Sequence, residues 1–145
     1  MKKKAIIILS WAAVAACMAV IFSLSAQTAG ESSEVSGWLI FIMKLNVSQD
    51  FIRTCAHFLE YAGLAVLIFN ALYRTFGFSR PVLSVIISAV YAASDEIHQL
   101  FVEGRAFQLS DIAIDTLGAA SGVIVLILLI KLVSKIKGGG FVDRQ

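Results

Sequence analysis

Four uninterrupted apolar segments dominate this sequence, at residues 5–24, 54–73, 82–101 and 110–133. As a helix, each is long enough to cross the ~30 Å hydrocarbon core of a bilayer, which takes about 20 residues. Lipid offers no hydrogen-bond partners, so only helices or closed barrels span it, and these segments are too long for barrel strands. The sequence predicts an all-α integral membrane bundle of four transmembrane helices. It forms a single domain, residues 1–137, followed by a flexible cytoplasmic tail, residues 138–145.

Composition excludes other classes of protein. Hydrophobic residues make up 59% of the 145 residues and charged residues 15%, against roughly 45–50% and about 25% in soluble domains. A disordered chain would need far more charge. The net charge of +2 gives no broad basic surface, so no nucleic-acid partner is predicted. Cys17 and Cys55 lie in apolar runs, where a disulfide is not expected.

The distribution of lysine and arginine predicts the orientation, because short cytoplasmic loops are enriched in both. With the N-terminus inside, nine of the twelve fall on the cytoplasmic side: Lys2, Lys3, Lys4, Arg74, Arg80, Lys131, Lys135, Lys137 and Arg144. Lys44, Arg53 and Arg105 remain outside. Nearly all acidic residues sort to the outer side. Both termini are therefore predicted to be cytoplasmic.

Two further segments have their own interpretation. The first span starts with three lysines like a signal peptide, but its 20 apolar residues exceed the usual 7–15, so we expect it to be retained. Residues 37–45, with Trp38 and Lys44, are too short to span. They predict a short interfacial or re-entrant helix between the first and second spans.

Ionisable and tyrosine side chains recur at helical i, i+3 and i+4 spacings within three spans, and therefore share one face of each helix. They are His57, Glu60 and Tyr61 on the second span, Tyr91, Asp95 and His98 on the third, and Asp111 and Asp115 on the fourth. Ionisable groups cost roughly 2.5–3.5 kcal/mol each inside a membrane on insertion scales, so they need a reason.

Helical rise places His57, Asp95 and Asp115 at matching depth, roughly 5–10 Å below the outer boundary. We expect them to converge in one outward-facing pocket with Arg53 and Arg105 at its mouth. The alternative is that such groups only hold helices together, as polar residues do in membranes.

Gly118 and Gly122 lie on the same stripe of the fourth span as Asp111 and Asp115. This small-xxx-small spacing lets the backbones of two membrane helices approach closely. We therefore expect both glycines to face another helix.

The residues of the predicted pocket divide into two sets of candidates. The candidate acids and bases for catalysis are His57, Glu60, Asp95, Glu96, His98 and Asp115. The candidate substrate-binding residues are Arg53, Tyr61, Tyr91, Gln99, Arg105 and Asp111. Neither the His57/Glu60 pair nor the Asp95/His98 pair completes a metal motif. No cofactor is predicted, although the residue types are compatible with a divalent metal.

Three segments resemble the VanZ-like family: YAASDEIHQLFVEGR at 91–105, followed by Asp111 and Asp115, then IRTCAHFLEY at 52–61 and FSLSAQ at 22–27. The resemblance implies a multi-pass protein of the bacterial cell membrane and envelope, associated with resistance to the glycopeptide antibiotic teicoplanin. It implies no agreed biochemical activity. Family members commonly have Lys at position 54 and Pro at position 103. Thr54 therefore leaves Arg53 to supply the cation, and Glu103 is expected to loosen the outer loop.

Three functions stay open. The first is binding of a membrane lipid headgroup, a lipid-linked precursor or a lipoglycopeptide. The second is a small membrane enzyme acting on an envelope lipid or cell-wall precursor by acid–base chemistry. The third, a lipid transporter, is disfavoured because four spans without a repeat suit alternating access poorly. A homo-oligomer would weaken that objection and stays open.

Overall fold

The computed structural model describes residues 2–44 and 46–136. All regular elements in those two ranges are helices: α1 (Lys2–Ser25), α2 (Ala29–Met43), α3 (Gln49–Phe76), α4 (Pro81–Gln99) and α5 (Leu109–Ile136). The predicted all-α fold is confirmed, and helices cover the first, second and fourth predicted spans fully and the third span except for its last two residues. The predicted tail at residues 138–145 lies outside the described residues.

Three helices, α1, α3 and α5, are long and apolar enough to cross a membrane. Helix α4 has 19 residues and is not in this group, because Asp95, Glu96 and His98 near its end lower its hydropathy. The structure therefore supports a helical membrane protein with three clear candidate spans in its described part, rather than the predicted four.

Helix α3 is the centre of the bundle, since it contacts all four other helices. Its inward stripe includes Tyr61, Leu64 and Ile68, which are fully buried and pack with Val14 and Ile21 of α1. Apolar residues spaced at i, i+3 and i+7 put this stripe on one helix face.

The outward faces of α1 and α5 are also apolar. Ile8 and Leu9 of α1 are each 67% exposed, and Leu128 of α5 is 59% exposed. Exposed apolar surface of this extent is what a lipid environment requires.

Helices α1 and α4 run in one direction and helices α3 and α5 in the other, so each end of the bundle has its own set of contacts. At one end, Gln99 Nε2 donates to Ser25 Oγ at 3.0 Å; we call this the Ser25 end. At the other, Trp11 Nε1 donates to Thr75 Oγ1 at 3.1 Å. We call this the Gly77 end, because Gly77, with φ 82°, ends α3 there.

The predicted close approach of the two glycines is confirmed. A Cβ added at Gly122 would lie 2.5 Å from the carbonyl oxygen of Ala62, and one at Gly118 would collide with the carbonyl of Phe58. Both glycines therefore let the backbone of α5 lie directly against that of α3. Gly63, by contrast, has nothing within 4 Å of such a Cβ.

Helix α2 is longer than the predicted segment 37–45, because it begins at Ala29. A capping box explains the early start. Thr28 Oγ1 accepts from the Glu31 backbone N–H at 3.3 Å, and the Glu31 carboxylate accepts from the Thr28 backbone N–H at 2.9 Å. These reciprocal bonds satisfy amides that otherwise lack partners at a helix start. The helix ends at Lys44 in a left-handed conformation, and the predicted last residue, Leu45, lies outside the described residues.

Helix α4 ends at Gln99, two residues before the predicted end of the third span. The chain then turns, with Val102 N–H donating to the Gln99 carbonyl at 3.1 Å. The loop to α5 is attached to the start of α2, since the Ala29 N–H donates to the Glu103 carbonyl at 3.2 Å. This hydrogen bond uses the backbone carbonyl of residue 103 and not its side chain.

Candidate functional site

A polar cavity of about 380 Å³ opens at the Ser25 end, where α3 and α5 begin and α4 ends. Its lining comes from the first turns of α3 and α5, the end of α4 and the loop that follows. The lining residues are Asp50, Arg53, Thr54, His57, Gln99, Gly104, Arg105, Ala106, Gln108, Asp111, Ile114 and Asp115. The volume is within the range of small-molecule sites.

The inner part of the cavity holds His57 and Asp115. His57 Nδ1 and Asp115 Oδ1 are 3.8 Å apart, and the two side chains are 18% and 4% exposed. That distance exceeds a hydrogen bond, and neither atom has another hydrogen-bond partner in the described part of the chain. The lining therefore presents two buried polar atoms with unused hydrogen-bonding capacity, which is costly in an apolar surrounding.

The mouth of the cavity holds the two arginines. Arg53 pairs with Asp50 at 3.3 Å, and Arg105 Nε donates to the Gln27 carbonyl at 3.3 Å. Burial, and then repulsion from Arg53, lower the pKa of the Arg105 guanidinium, while Glu96 and Asp111 act in the opposite direction. Two guanidinium groups thus lie close enough to repel each other at one opening.

Behind the cavity wall lies a second buried polar group, which we call the inner cluster: Tyr61, Asp95 and His98. Tyr61 and Asp95 are 0% and 3% exposed. Their atoms Tyr61 OH, Asp95 Oδ1 and His98 Nδ1 make no hydrogen bond to residues 2–44 or 46–136. The Asp95 carboxylate interacts electrostatically with both His57 and His98. No residue of the inner cluster lines the cavity.

Two predicted site residues have structural contacts instead. Glu96 Oε1 accepts from the Gln108 backbone N–H at 2.6 Å. This bond holds the end of the loop, just before α5, against α4. Tyr91 OH donates to the Met18 carbonyl of α1 at 2.6 Å. Each of these polar atoms already has a partner, so both side chains contribute to the architecture around the site.

The structure thus divides the twelve candidates in half. The cavity is lined by Arg53, His57, Gln99, Arg105, Asp111 and Asp115. The other six do not line it: Glu60, Tyr61, Tyr91, Asp95, Glu96 and His98. Of the predicted convergence of His57, Asp95 and Asp115, the structure shows the approach of His57 to Asp115, whereas Asp95 does not line the cavity. In the described ranges, no group of three or more His, Cys, Asp or Glu side chains is arranged to hold a metal ion.

Sequence reasoning missed Asp50, Gly104 and Gln108, which also line the cavity. Gly104 has φ 73°, and a Cβ there would lie 2.9 Å from the Cβ of Ala29. A glycine in a short polar loop is the usual signal for positive φ. Asp50 lies in the first turn of α3, a position at which acidic residues are common for reasons of the helix dipole alone.

Comparison with known proteins gives one match. The family model described as VanZ/LLP1 matches residues 10–131, which is well over half of the chain. The match contains all five residues of the inner part of the cavity and the inner cluster. Searches of curated proteins and of solved structures found no match.

Proposed function

Because the chain belongs to the VanZ/LLP1 family, we propose that it is a multi-pass protein of the bacterial cell membrane whose polar cavity faces outward. There it binds a lipid headgroup, a lipid-linked precursor or a lipoglycopeptide, and so lowers susceptibility to teicoplanin-type glycopeptides. The observation that carries this proposal is the polar cavity at one end of an apolar bundle, with buried unpartnered atoms at its inner part.

Helix α4 is the fourth span in this proposal. Its residues Val82, Ile86, Val90 and Ile97 are between 52% and 70% exposed and follow each other at helical spacing along one face. An exposed apolar stripe along the whole length of a helix is what lipid contact requires, and the buried acids face the bundle interior, as such groups do in membranes. Helix α2, with Trp38 62% and Phe41 81% exposed, lies in the outer interface.

The orientation follows from the two ends of the bundle. Among the described residues, the Gly77 end has Lys2, Lys3, Lys4, Arg74, Arg80, Lys131 and Lys135 and no acid. The positive-inside rule puts that end in the cytoplasm. A reporter that fluoresces only in the cytoplasm, fused to the C-terminus, is expected to give signal; a dark, stably inserted fusion would contradict the outward-facing cavity.

The link from the cavity to resistance is tested by substitution. Arg105→Ala removes a cation of the mouth, and Asp95→Asn and His98→Ala alter the inner cluster. Each is expected to return teicoplanin susceptibility to that of cells without the protein, at unchanged membrane abundance. Glu103→Gln is the control, because its side chain is exposed and does not line the cavity. Full resistance in all three variants would contradict a functional role of these residues.

A small membrane enzyme is the second candidate, and one observation favours it. A histidine and a carboxylate 3.8 Å apart in a secluded cavity are the components of an acid–base pair, which would act on an envelope lipid or cell-wall precursor. Comparing lipids and muropeptides of cells with and without the protein separates the two candidates. A new or missing covalent species supports the enzyme, and changed susceptibility with unchanged chemistry supports binding.

A further inference from the structure

The charged residues that line the polar cavity do not suit a ligand that is only positively or only negatively charged. Two guanidinium groups, Arg53 and Arg105, are accompanied by the carboxylates Asp50, Asp111 and Asp115. A purely anionic headgroup would meet three acids, and a purely cationic one would meet two arginines. Complementarity of potential favours a ligand that has both charges.

Both guanidinium groups lie at the opening, where Asp50 and Asp111 accompany them, and the inner part holds one carboxylate and one histidine. His57 lies one helical turn deeper than Arg53 on α3, and Asp115 lies one turn deeper than Asp111 on α5, since four residues advance a helix by about 6 Å. Arg105 is in the loop at the mouth. The guanidinium groups are therefore at the opening, while the unpartnered acceptor atoms are at the inner part.

The inner part requires a hydrogen-bond donor. Asp115 is 3% exposed, lines the cavity, and its Oδ1 has no donor in the described part of the chain. An ammonium group with N–H bonds satisfies this oxygen and the facing His57 Nδ1 in its neutral form, because each can accept. A quaternary ammonium has no N–H and cannot make either bond.

The two arginines of the mouth can hold an anion, which then competes with the exposed Asp50 carboxylate for Arg53. Arg53 and Arg105 repel each other there, and a phosphate between two guanidinium groups replaces that repulsion with charge-assisted hydrogen bonds. In a phospholipid that reaches the cavity from the outer leaflet, the phosphate is nearest the acyl chains and the amine is at the tip. When the headgroup folds back into the mouth, the phosphate stays at the opening and the amine reaches the inner part, which is the order of the arginines and the acceptor atoms along the cavity.

We propose that the polar cavity recognises a zwitterionic phosphodiester with a primary amine, with the phosphate between Arg53 and Arg105 and the ammonium at Asp115 and His57. This inference rests on the proposed binding function and names the chemistry of its ligand. The cavity of about 380 Å³ accommodates a headgroup, while the acyl chains stay in the membrane.

The test measures lipid binding to the purified full-length protein by native mass spectrometry. Phosphatidylethanolamine, phosphatidylcholine and phosphatidylglycerol with identical acyl chains differ only in the group at the tip. We expect phosphatidylethanolamine to bind at least about tenfold more tightly than either, a difference of ~1.4 kcal/mol. Equal binding of phosphatidylethanolamine and phosphatidylcholine would overturn the proposal.

Variants assign the preference to residues. Asp115→Asn is expected to reduce the preference to less than about threefold, whereas Arg53→Gln weakens binding of both phosphatidylethanolamine and phosphatidylglycerol, because both contain the phosphate. Glu103→Gln is the control. If Asp115→Asn does not yield folded protein, His57→Phe, which removes the other acceptor assigned to the amine, replaces it and is expected to reduce the preference in the same way. A preference that survives the carboxylate substitution would contradict the assignment of the amine.

Two further measurements are informative. The first distinguishes recognition of the headgroup from recognition of the acyl chains, and the second distinguishes this inference from the proposed function. Competition by soluble glycerophosphoethanolamine supports amine recognition and indicates that the acyl chains add little. No lipid preference, together with loss of resistance in Arg105→Ala, would overturn this inference and leave the proposed function standing. A clear preference for phosphatidylethanolamine without any role of Arg105 in resistance would support this inference and overturn the proposed link between the cavity and resistance.

Discussion

The two ends of the bundle differ in how many of their buried polar side-chain atoms have a hydrogen-bond partner. At the Gly77 end, hydroxyl groups have partners: Ser84 Oγ donates to the Pro81 carbonyl at 2.7 Å, and Ser88 Oγ donates to the Ser84 carbonyl at 3.0 Å. At the Ser25 end, Asp95, Asp115 and His57 each have a buried atom without a partner in the described residues.

The difference separates polar groups that stabilise the fold from polar groups that cost stability. A serine that bonds back to its own helix has little use for a ligand, whereas a buried carboxylate oxygen without a donor costs about 1–3 kcal/mol or more. Within the described ranges, Arg80 Nε at the Gly77 end also has no hydrogen-bond partner, but the guanidinium lies 4.2 Å from the centre of the Phe76 ring, a favourable contact.

The largest effect is expected where α3 and α5 meet between the two ends. Gly118→Leu and Gly122→Leu each put a side chain into the backbone of α3, so we expect a loss of ~3 kcal/mol or more, seen as loss of folded protein in the membrane. Thermal unfolding in detergent measures the effect. The control is Gly63→Leu, which has open space around it; equal loss in the control would contradict the close approach as the cause.

The stability of Asp95→Asn tests whether a buried acid at the Ser25 end costs the fold free energy. Replacing a buried ionisable group that lacks a partner on Oδ1 with a neutral amide is expected to raise stability by about 1 kcal/mol, while resistance is lost. The measurement is the midpoint of thermal unfolding of the purified variant. A clear decrease in the midpoint would show that Asp95 stabilises the fold like the serines of the Gly77 end.

A smaller effect is expected from a partnered group at the Gly77 end. Trp11→Phe removes the indole N–H that donates to Thr75, and we expect a loss of about 0.5–1.5 kcal/mol, the usual contribution of one hydrogen bond. Teicoplanin resistance should be unchanged, because the Ser25 end is untouched. Thermal unfolding and susceptibility are measured together, and a loss of resistance at unchanged abundance would contradict the division between the ends.

The smallest effect concerns the start of α2. Hydrogen bonds from the backbone and side chain of Thr28 lower the pKa of Glu31 below 4.5. Because the folded pKa is the lower one, the stabilisation is present above pH 4.5 and is lost as the pH falls through the folded pKa. The protection factors of amides at the start of α2, which correct for the slower intrinsic exchange at acidic pH, should therefore fall as the pH falls. Glu31→Gln should abolish this pH dependence, and Glu34→Gln, exposed one turn later, should retain it.

Much of the fold follows from the sequence because long apolar segments leave a membrane chain few alternatives. The four predicted spans and the four long helices coincide to within a few residues. Apolar periodicity does not predict the start of α2. Its first turns, with Glu31 and Glu34, are polar and lie outside the apolar segment 37–45. The T-x-x-E pattern at Thr28 was the available signal.

The candidate site was predictable only as far as helical periodicity reaches. Spacing correctly brought His57 and Asp115 to facing sides of α3 and α5. Helical spacing does not predict that Glu96, next to Asp95, faces the loop, because the orientation of Glu96 depends on the position of the Gln108 N–H. Asp50 and Gln108 were missed for the same reason, since the path of a loop is set by tertiary contacts rather than by a period.

The loop that carries Arg105 is fixed at several points. The Glu103 carbonyl accepts from Ala29, Arg105 donates to the Gln27 carbonyl, and Gln99 just before the loop bonds to Ser25. A guanidinium held in this way is preorganised, so little conformational entropy remains to be lost when an anion arrives. Tightening of this kind acts mainly on the dissociation rate. Loosening the contacts between the loop and the connection from α1 to α2 should therefore shorten the residence time of a ligand before it alters which ligand is chosen.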